Sequence, residues 1–284
     1  MKLFAPAKVN LSLRVLGKRP DGYHALASLM APVSLCDEIT IDITQGATEF
    51  DLTCSDPTIP CDASNLALIA ARVFCEETGR PFGGKIHIEK HIPHGAGLGG
   101  GSSDAATVLL ALNRLAQTKL DAPELERIAA RVGSDVPFFI CGSAAWITGR
   151  GEHVAPHVLP QEFHLVLIKP PFGVSTAWAF SAWSKEAART EAAATTFGGV
   201  DWTNDLEIPV FEKFLLLPVL CEWLSDQSGV KVTRMSGSGS TIFAVCESEA
   251  TANSLAALAK NHLGDTFFIV SVKTTGHGQI PSGR

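Results

Sequence analysis

A mixed α and β protein built as two lobes is the architecture this sequence predicts, on three observations. At 284 residues the chain exceeds the usual size of a single core, which leaves two lobes or one large α/β domain. A proline-bearing, weakly patterned stretch from Val154 to Glu162 reads as a boundary between better patterned halves. Each half carries its own glycine cluster, Gly95 to Gly101 and Gly237 to Gly239, as expected of a ligand held between lobes. The division predicted is therefore 1–153 and 154–284.

Composition narrows the function classes. Hydrophobic residues make up 46% of the chain and charged ones 18%, with a mean hydropathy of +0.19, which describes a well-buried globular protein. A net charge of −6 argues against broad nucleic-acid or anionic-membrane binding, because both need a clustered positive field. Any phosphate ligand must then be held by local geometry. No apolar run approaches membrane-spanning length, and Met1 to Lys8 breaks before a signal-peptide core forms, so a cytoplasmic protein is expected. The seven cysteines are scattered and never in a Cys-x-x-Cys pair, which disfavours a disulfide framework or a zinc site. No metal ligand is expected from the protein's own side chains.

Phe4 to Val15 alternates as a strand, with Lys8, Asn10, Ser12 and Arg14 on one face and Val9, Leu11 and Leu13 on the other. A solvated edge strand explains Arg14 but not Asn10, a poor strand residue. Gly17 to Gly22 is a turn by composition, so a hairpin is expected, with Tyr23 and His24 opening its second strand. Tyr23 is the only tyrosine in the chain. It is suited to stacking on a flat ligand while His24 bonds an edge, and equally to an ordinary strand position. Glu38 to Leu52 reads as further strand. Asn65 to Glu77 has helical spacing, with Ser64 or Asn65 as its cap. Gly84 to Lys90 is again a strand and feeds through Pro93 into the first glycine run.

That run, Pro93-His94-Gly95-Ala96-Gly97-Leu98-Gly99-Gly100-Gly101-Ser102-Ser103, opens a helix expected over Asp104 to Ala116. Residues without Cβ let successive N–H groups face one concave point, and the helix adds free donors and the positive end of its dipole, so an anion is the natural occupant. The spacing Gly95-x-Gly97-x-x-Gly100 invites a dinucleotide fold, but the next segment, Ala122 to Arg131, is helix where that fold needs a strand. A Walker A loop fails because Ser102, not lysine, follows Gly101. A protein-kinase loop fails because neither Asp-Phe-Gly nor His-Arg-Asp occurs. Asp135, in Gly133-Ser134-Asp135-Val136-Pro137, reads first as a turn former or helix cap. Asp104 reads as an acid favouring the helix N-terminus.

Ala144 to Thr148 and His164 to Lys169 are further strands. Residues 184–200 carry little pattern and are expected to be a variable loop. Asn204-Asp205-Leu206-Glu207 has the form of a capping box. The second glycine cluster, Met235 to Thr241, leads into apolar Ile242 to Val245.

Taken together in this order, Pro6-Ala7-Lys8-Val9-Asn10-Leu11, the run Pro93 to Ala106 and Gly237-Ser238-Gly239-Ser240 resemble the three motifs of the GHMP small-molecule kinases. Gly22-Tyr23-His24, Gly133 to Phe139 and Asn204 to Glu207 are similar, more narrowly, to the branch whose acceptor is a cytidylyl-methylerythritol alcohol on the non-mevalonate route to isoprenoids. The likeness spans both halves and loosens around 181–203 and at the C-terminal tail. It implies an α+β fold of two lobes, the N-terminal one ribosomal-protein-S5-like and the C-terminal one ferredoxin-like, with the active site in the cleft between them. It also implies ATP as co-substrate with Mg²⁺.

By the same resemblance Asp135 is the general base and Lys8 its cationic partner, which favours the ionised carboxylate and offsets charge on the moving phosphoryl. Pro93, Gly95, Ala96, Gly97, Leu98, Gly99, Gly100, Gly101, Ser102 and Ser103 wrap the triphosphate, and Asn65 lies near the adenine. Asn10 orients the acceptor, Tyr23 and Phe180 sandwich the cytosine, and His24 reads its edge. Thr176, Gly237, Ser238 and Gly239 lie near the same substrate. Two other functions stay open at this point: a GHMP kinase of the homoserine or mevalonate type, which has no need of a base clamp, and a catalytically silent nucleotide-binding protein. A monomer or a homodimer is expected.

Overall fold

The computed structural model describes residues 1–186 and 192–276. β1 (Lys2–Lys18) and β2 (His24–Ile43) form the expected antiparallel hairpin, closed by a turn in which the Gly22 amide donates to the Arg19 carbonyl. The continuous strand expected from Glu38 to Leu52 is broken. The chain turns after Ile43, where the Ala47 amide donates to the Thr44 carbonyl, and resumes as β3 (Phe50–Cys54). α1 (Leu66–Thr78) is capped by Asn65 and leads to β4 (Gly84–Glu89), which lies parallel to β3 and antiparallel to β2.

α2 (Gly100–Leu115) starts four residues before the expected Asp104. Its ladder opens where the Ser103 amide donates to the Gly99 carbonyl at 2.9 Å. Tertiary contacts at its first turn override the poor helix propensity of Gly100 and Gly101. α3 (Ala122–Val132) begins with a reciprocal capping box between Asp121 and Glu124, and α4 (Val136–Cys141) follows with Pro137 in its first turn. β5 (Ala145–Gly149) pairs with β2 and with β6 (His153–Pro156), so the division drawn at 153/154 falls inside a strand.

The second half contains β7 (His164–Lys169), α5 (Thr176–Glu186), β8 (Thr195–Phe197), β9 (Val200–Asn204), α6 (Glu207–Lys213), α7 (Leu216–Ser225), β10 (Val230–Met235), β11 (Ile242–Cys246), α8 (Glu249–Leu263) and β12 (Phe268–Lys273). Part of the loop expected over 184–200, residues 187–191, lies outside the described residues; its end is not loop but β8, which pairs with β9. β9 then returns to the first sheet and runs parallel to β1, with Ser12 opposite Thr203 and Leu13 opposite Asn204. Trp202 fixes this short strand: it is fully buried, edge-on to Phe163 at 5.1 Å between ring centroids and beside Phe243 at 6.0 Å.

Among the described residues the strands form two sheets, one ordered β3-β4-β2-β1-β9-β8 with β5 and β6 branching from β2, the other ordered β10-β11-β7-β12. The second is antiparallel throughout and has the order of the expected ferredoxin-like lobe. Val9 and Leu11 of β1 share a buried cluster with Leu165 and Leu167 of β7 and with Phe243 of β11. Each such side chain contributes roughly 1.5–3 kcal/mol by leaving water. β1 therefore buries one face between the lobes and turns Lys8 and Asn10 toward the cleft. All seven cysteines are free, and no helix of the described residues is long and apolar enough to cross a membrane.

Candidate active site

The polar face of β1 is a buried hydrogen-bonded chain rather than a solvated edge. Lys8, Asn10 and Ser12 are 3%, 1% and 6% exposed. The Lys8 ammonium donates to Asn10 Oδ1 at 2.5 Å, Asn10 Nδ2 donates to Ser28 Oγ at 2.9 Å, and Ser28 Oγ donates to the Ser12 carbonyl at 2.6 Å. This explains an asparagine in mid-strand: both ends of its amide find a partner. Register slips between Pro6 and Lys8 and between Asn10 and Ser12 bracket the pair, as bulges commonly do where a side chain must be re-aimed. Burial lowers the Lys8 pKa from its ordinary range, and the negative charge of Asp135 opposes that shift.

Asp135 sits at the N-cap of α4 but makes no side-chain capping bond, so its carboxylate is not spent on the helix. The helix-cap reading therefore does not account for it, although Ser134 and Asp135 do form the expected turn. Asp135 lines, together with Lys8 and Asn10, a cleft of about 890 Å³, within the range of small-molecule sites.

The two glycine clusters close on each other across this cleft. Gly97 has φ +75°, and a Cβ there would collide with the Ser236 carbonyl and lie 3.0 Å from that of Gly239. Ser236 Oγ donates to the Gly97 carbonyl at 2.9 Å, and the Thr241 amide donates to the Ala96 carbonyl at 3.2 Å. Gly237, at φ +57°, has room for a Cβ only 3.3 Å from Lys8 Nζ and from Asn10 Oδ1. Behind Gly99, α2 starts without a side-chain cap, leaving its first amides and the positive end of its dipole for an anion. Among the described residues no group of three or more His, Cys, Asp or Glu lies together as a metal site.

One end of the cleft is aromatic and cationic. His24 stacks on Phe180 with ring centroids 5.3 Å apart and meets the edge of Trp183 at 6.1 Å. Tyr23 is 54% exposed, and the Arg150 guanidinium lies over its ring at 5.4 Å. Burial and then the nearby Lys18 cation lower the His24 pKa, which favours a neutral ring able both to donate and to accept. In this structure Phe180 therefore faces His24, and Tyr23 faces Arg150.

The opposite end rests on a buried ion triad. The Lys90 ammonium donates to Asp37 at 2.5 Å and to Asp104 at 2.8 Å, and Asp37 also accepts the His91 and Ile92 amides. Burial raises the Asp104 pKa to about 7, against the pull of Lys90 and with a push from Asp37. Asp104, read from sequence as an acid favouring the helix N-terminus, is thus spent on a buried ion triad. It ties α2 to the chain entering the glycine loop.

Asn204 to Glu207 also departs from its expected role. The cap of α6 is Leu206 and carries no side-chain bond. Asn204 Nδ2 donates instead to the carbonyls of Met235 and Gly237, each at 2.7 Å, and Glu207 Oε1 accepts the Met235 amide at 2.7 Å. Ser103, expected at the phosphates, is fully buried behind the loop and its hydroxyl has no partner. Gly239 packs against Met235 and does not line the cleft. Asn65 does line it, although its side chain is already engaged, accepting the Ala67 amide and donating to the Pro60 carbonyl. Pro93, Gly95 to Ser102, Thr176, Phe180, Gly237 and Ser238 line it as well, and Thr176 bonds Ser238 through their hydroxyls at 2.9 Å. Sequence reasoning did not single out Lys18, Lys90 or Arg150; each is a lone cation whose neighbours come from other elements.

Comparison with known proteins follows this geometry. Residues 65–143 match the GHMP kinases N terminal domain, and residues 188–268 match the GHMP kinases C terminal domain. A curated 4-diphosphocytidyl-2-C-methyl-D-erythritol kinase of Methylacidiphilum infernorum is 45% identical over 248 residues, 87% of this chain and 86% of the relative. A crystal structure of 4-(cytidine 5'-diphospho)-2C-methyl-D-erythritol kinase superposes with TM-score 0.77 at 34% identity, covering 97% of this chain and 100% of that one. A homoserine kinase from Cytophaga hutchinsonii, TM-score 0.68 at 20% identity over 97% of this chain and 94% of its own, shares the fold.

Proposed function

The chain belongs to the GHMP kinase family and, within it, to the 4-diphosphocytidyl-2-C-methyl-D-erythritol kinases, and on that premise we propose that it transfers the γ-phosphoryl group of ATP to the 2-hydroxyl of that cytidylyl alcohol, a step of the non-mevalonate route to isoprenoid precursors. The observation that carries the reading is the convergence on one cleft of the uncapped α2 terminus, the Lys8–Asn10 pair and an Asp135 carboxylate free of capping duty.

Phosphoryl transfer asks a protein chiefly for positioning and charge stabilisation. The first amides of α2 and the backbone of Gly95 to Gly101 hold the triphosphate, with Ser102 adding a hydroxyl. Mg²⁺ takes few protein ligands and keeps several waters, which fits a triphosphate arriving with its ion; when bound it neutralises charge on the phosphate oxygens. Asp135 accepts the proton of the attacking hydroxyl, a role typically worth about 10²- to 10⁴-fold in rate. Lys8 offsets the charge that develops on the moving group, and Asn10 fixes the ammonium that does so. At the aromatic end, Tyr23 and Phe180 offer faces to a cytosine and His24 offers an edge bond that selects it. Thr176 and Ser238 contact the same substrate. The reading places the reaction in the cytoplasm.

The test is turnover of a panel, the cytidylyl alcohol beside homoserine and mevalonate, with ATP and Mg²⁺, following ADP release and product mass. Turnover of the cytidylyl compound alone is expected, and Asp135→Asn should abolish it while ADP binding by calorimetry stays within threefold. Equal or absent turnover of the cytidylyl compound would overturn the substrate assignment, and an active Asp135→Asn would remove Asp135 as base.

A further inference from the structure

The second glycine cluster, the third of the three motifs and here the third glycine loop, is tied through Ser236, Ser238 and Ser240 to Gly97, Thr176 and Phe172, and Gly237 lies against Lys8 and Asn10 to within a few ångströms. Its entry is held from outside by one segment. Asn204 is fully buried and spans the carbonyls of Met235 and Gly237, while Glu207 takes the Met235 amide just before them. The same segment is moored to β1, the strand that carries Lys8 and Asn10. The Asp205 amide donates to the Leu13 carbonyl at 3.0 Å, and the Asp205 carboxylate accepts the Val15 amide at 2.9 Å and Arg14 at 2.8 Å. The Leu206 amide closes the turn on Asn204 Oδ1 at 3.0 Å.

We propose that Asn204, Asp205 and Glu207 are positioning residues that gauge the separation between β1 and the third glycine loop, and so seat the acceptor alcohol against Lys8 and Asn10. The proposal rests on the kinase reading above. None of the gauge's hydrogen bonds is made to α2, whose amides would hold the triphosphate, although β1 itself packs on that helix. Loss of the gauge should therefore fall on turnover and spare nucleotide binding. A loop shift of about 1 Å costs on the order of 10²-fold in rate when reacting atoms must be aligned.

The experiment compares Asn204→Asp, Glu207→Ala and Glu207→Gln with the wild-type protein by kcat on the cytidylyl alcohol, ADP affinity by calorimetry, and backbone hydrogen exchange. Asn204→Asp keeps the acceptor for Leu206 but loses both donors, and should lower kcat about 30- to 100-fold. Its ADP affinity should stay within threefold, and exchange should quicken at 235–241 but not in α2. Glu207→Ala should behave alike, whereas Glu207→Gln keeps an acceptor oxygen and should restore most of the rate. The proposal is overturned if folded Asn204→Asp and Glu207→Ala keep kcat within threefold, if Glu207→Gln is no better than Glu207→Ala, or if ADP affinity falls in step with kcat. Should Asn204→Asp not fold, the Glu207 pair decides; if none of the three folds, the segment is structural and the proposal fails. A wild-type protein that binds ADP but does not turn over the cytidylyl alcohol would sink the substrate reading alone. Loop exchange in the variants would then still decide the gauge.

Discussion

Alanine placed at Gly97 and at Gly101 should act in opposite directions, although the two glycines lie in one loop. At Gly97 the left-handed backbone costs an alanine about 1–2 kcal/mol. Its Cβ also overlaps the Ser236 carbonyl and lies 3.0 Å from that of Gly239, backbone atoms that cannot rotate away. Such overpacking adds about 1–3 kcal/mol, for a total near 2–5 kcal/mol. The relief available is to push the two glycine clusters apart, which should cost on the order of 10²-fold in kcat/KM. At Gly101 the nearest atom to a Cβ is Leu66 Cδ1 at an ordinary 3.7 Å, and the residue stands in the first turn of α2. Alanine there should stabilise by about 0.5–1 kcal/mol through its helix propensity, yet weaken ATP binding if the backbone approaches the phosphates closely. Thermal melts and ADP-release kinetics on both variants check this. Gly97→Ala with wild-type stability and turnover would refute the claim that the loops interlock.

Tyr23→Ala should raise KM for the cytidylyl alcohol by about 10-fold or more, stacking being worth roughly 1–3 kcal/mol per base, with KM for ATP unchanged; equal changes in both would remove the stacking role. Lys90→Met leaves Asp37 and Asp104 buried side by side without their cation, and should destabilise by about 3–5 kcal/mol in denaturant melts. Adding Asp104→Asn should recover part of that loss. Burial raises the Glu207 pKa to about 7 from 4.5. The folded state then binds this proton more tightly than the unfolded chain, so the Glu207 contribution favours folding below about pH 4.5 and is lost as pH rises toward 7, by up to about 3 kcal/mol. The stability of wild type relative to Glu207→Gln should fall across that window, and a flat difference would contradict the burial account.

What could be read from the chain alone follows the length of each signal. β1, α1 and α3 carry alternation, helical spacing or caps over ten or more residues, and they form where expected. Trp202 and its strand β9 were invisible, because five residues at and just beyond the end of the patternless stretch 184–200 give no periodicity and the anchoring partners Phe163 and Phe243 are remote in sequence. The start of α2 was misplaced because Gly100 and Gly101 are poor helix formers held by tertiary contacts. In the cleft, Lys8 and Asn10 were legible from their shared strand face. The engagement of Asn204 with the third glycine loop was not, since the same four residues satisfy a capping pattern and only the fold decides which bonds they make.

Because β9 belongs by sequence to the second half and by hydrogen bonding to the first sheet, the two walls of the cleft share a strand. Swinging them apart as hinged jaws would mean either stripping β9 from β1 or drawing Trp202 away from Phe163 and Phe243. On the proposed function, nucleotide and alcohol would then enter past side chains and loops at the rim rather than between walls that part. The same joint makes the halves poor candidates for separate expression: a fragment ending at 153 would lack the strand that covers the edge of β1 beside its polar residues, and its partner fragment would keep β8 on one edge of β9 but lose β1 from the other.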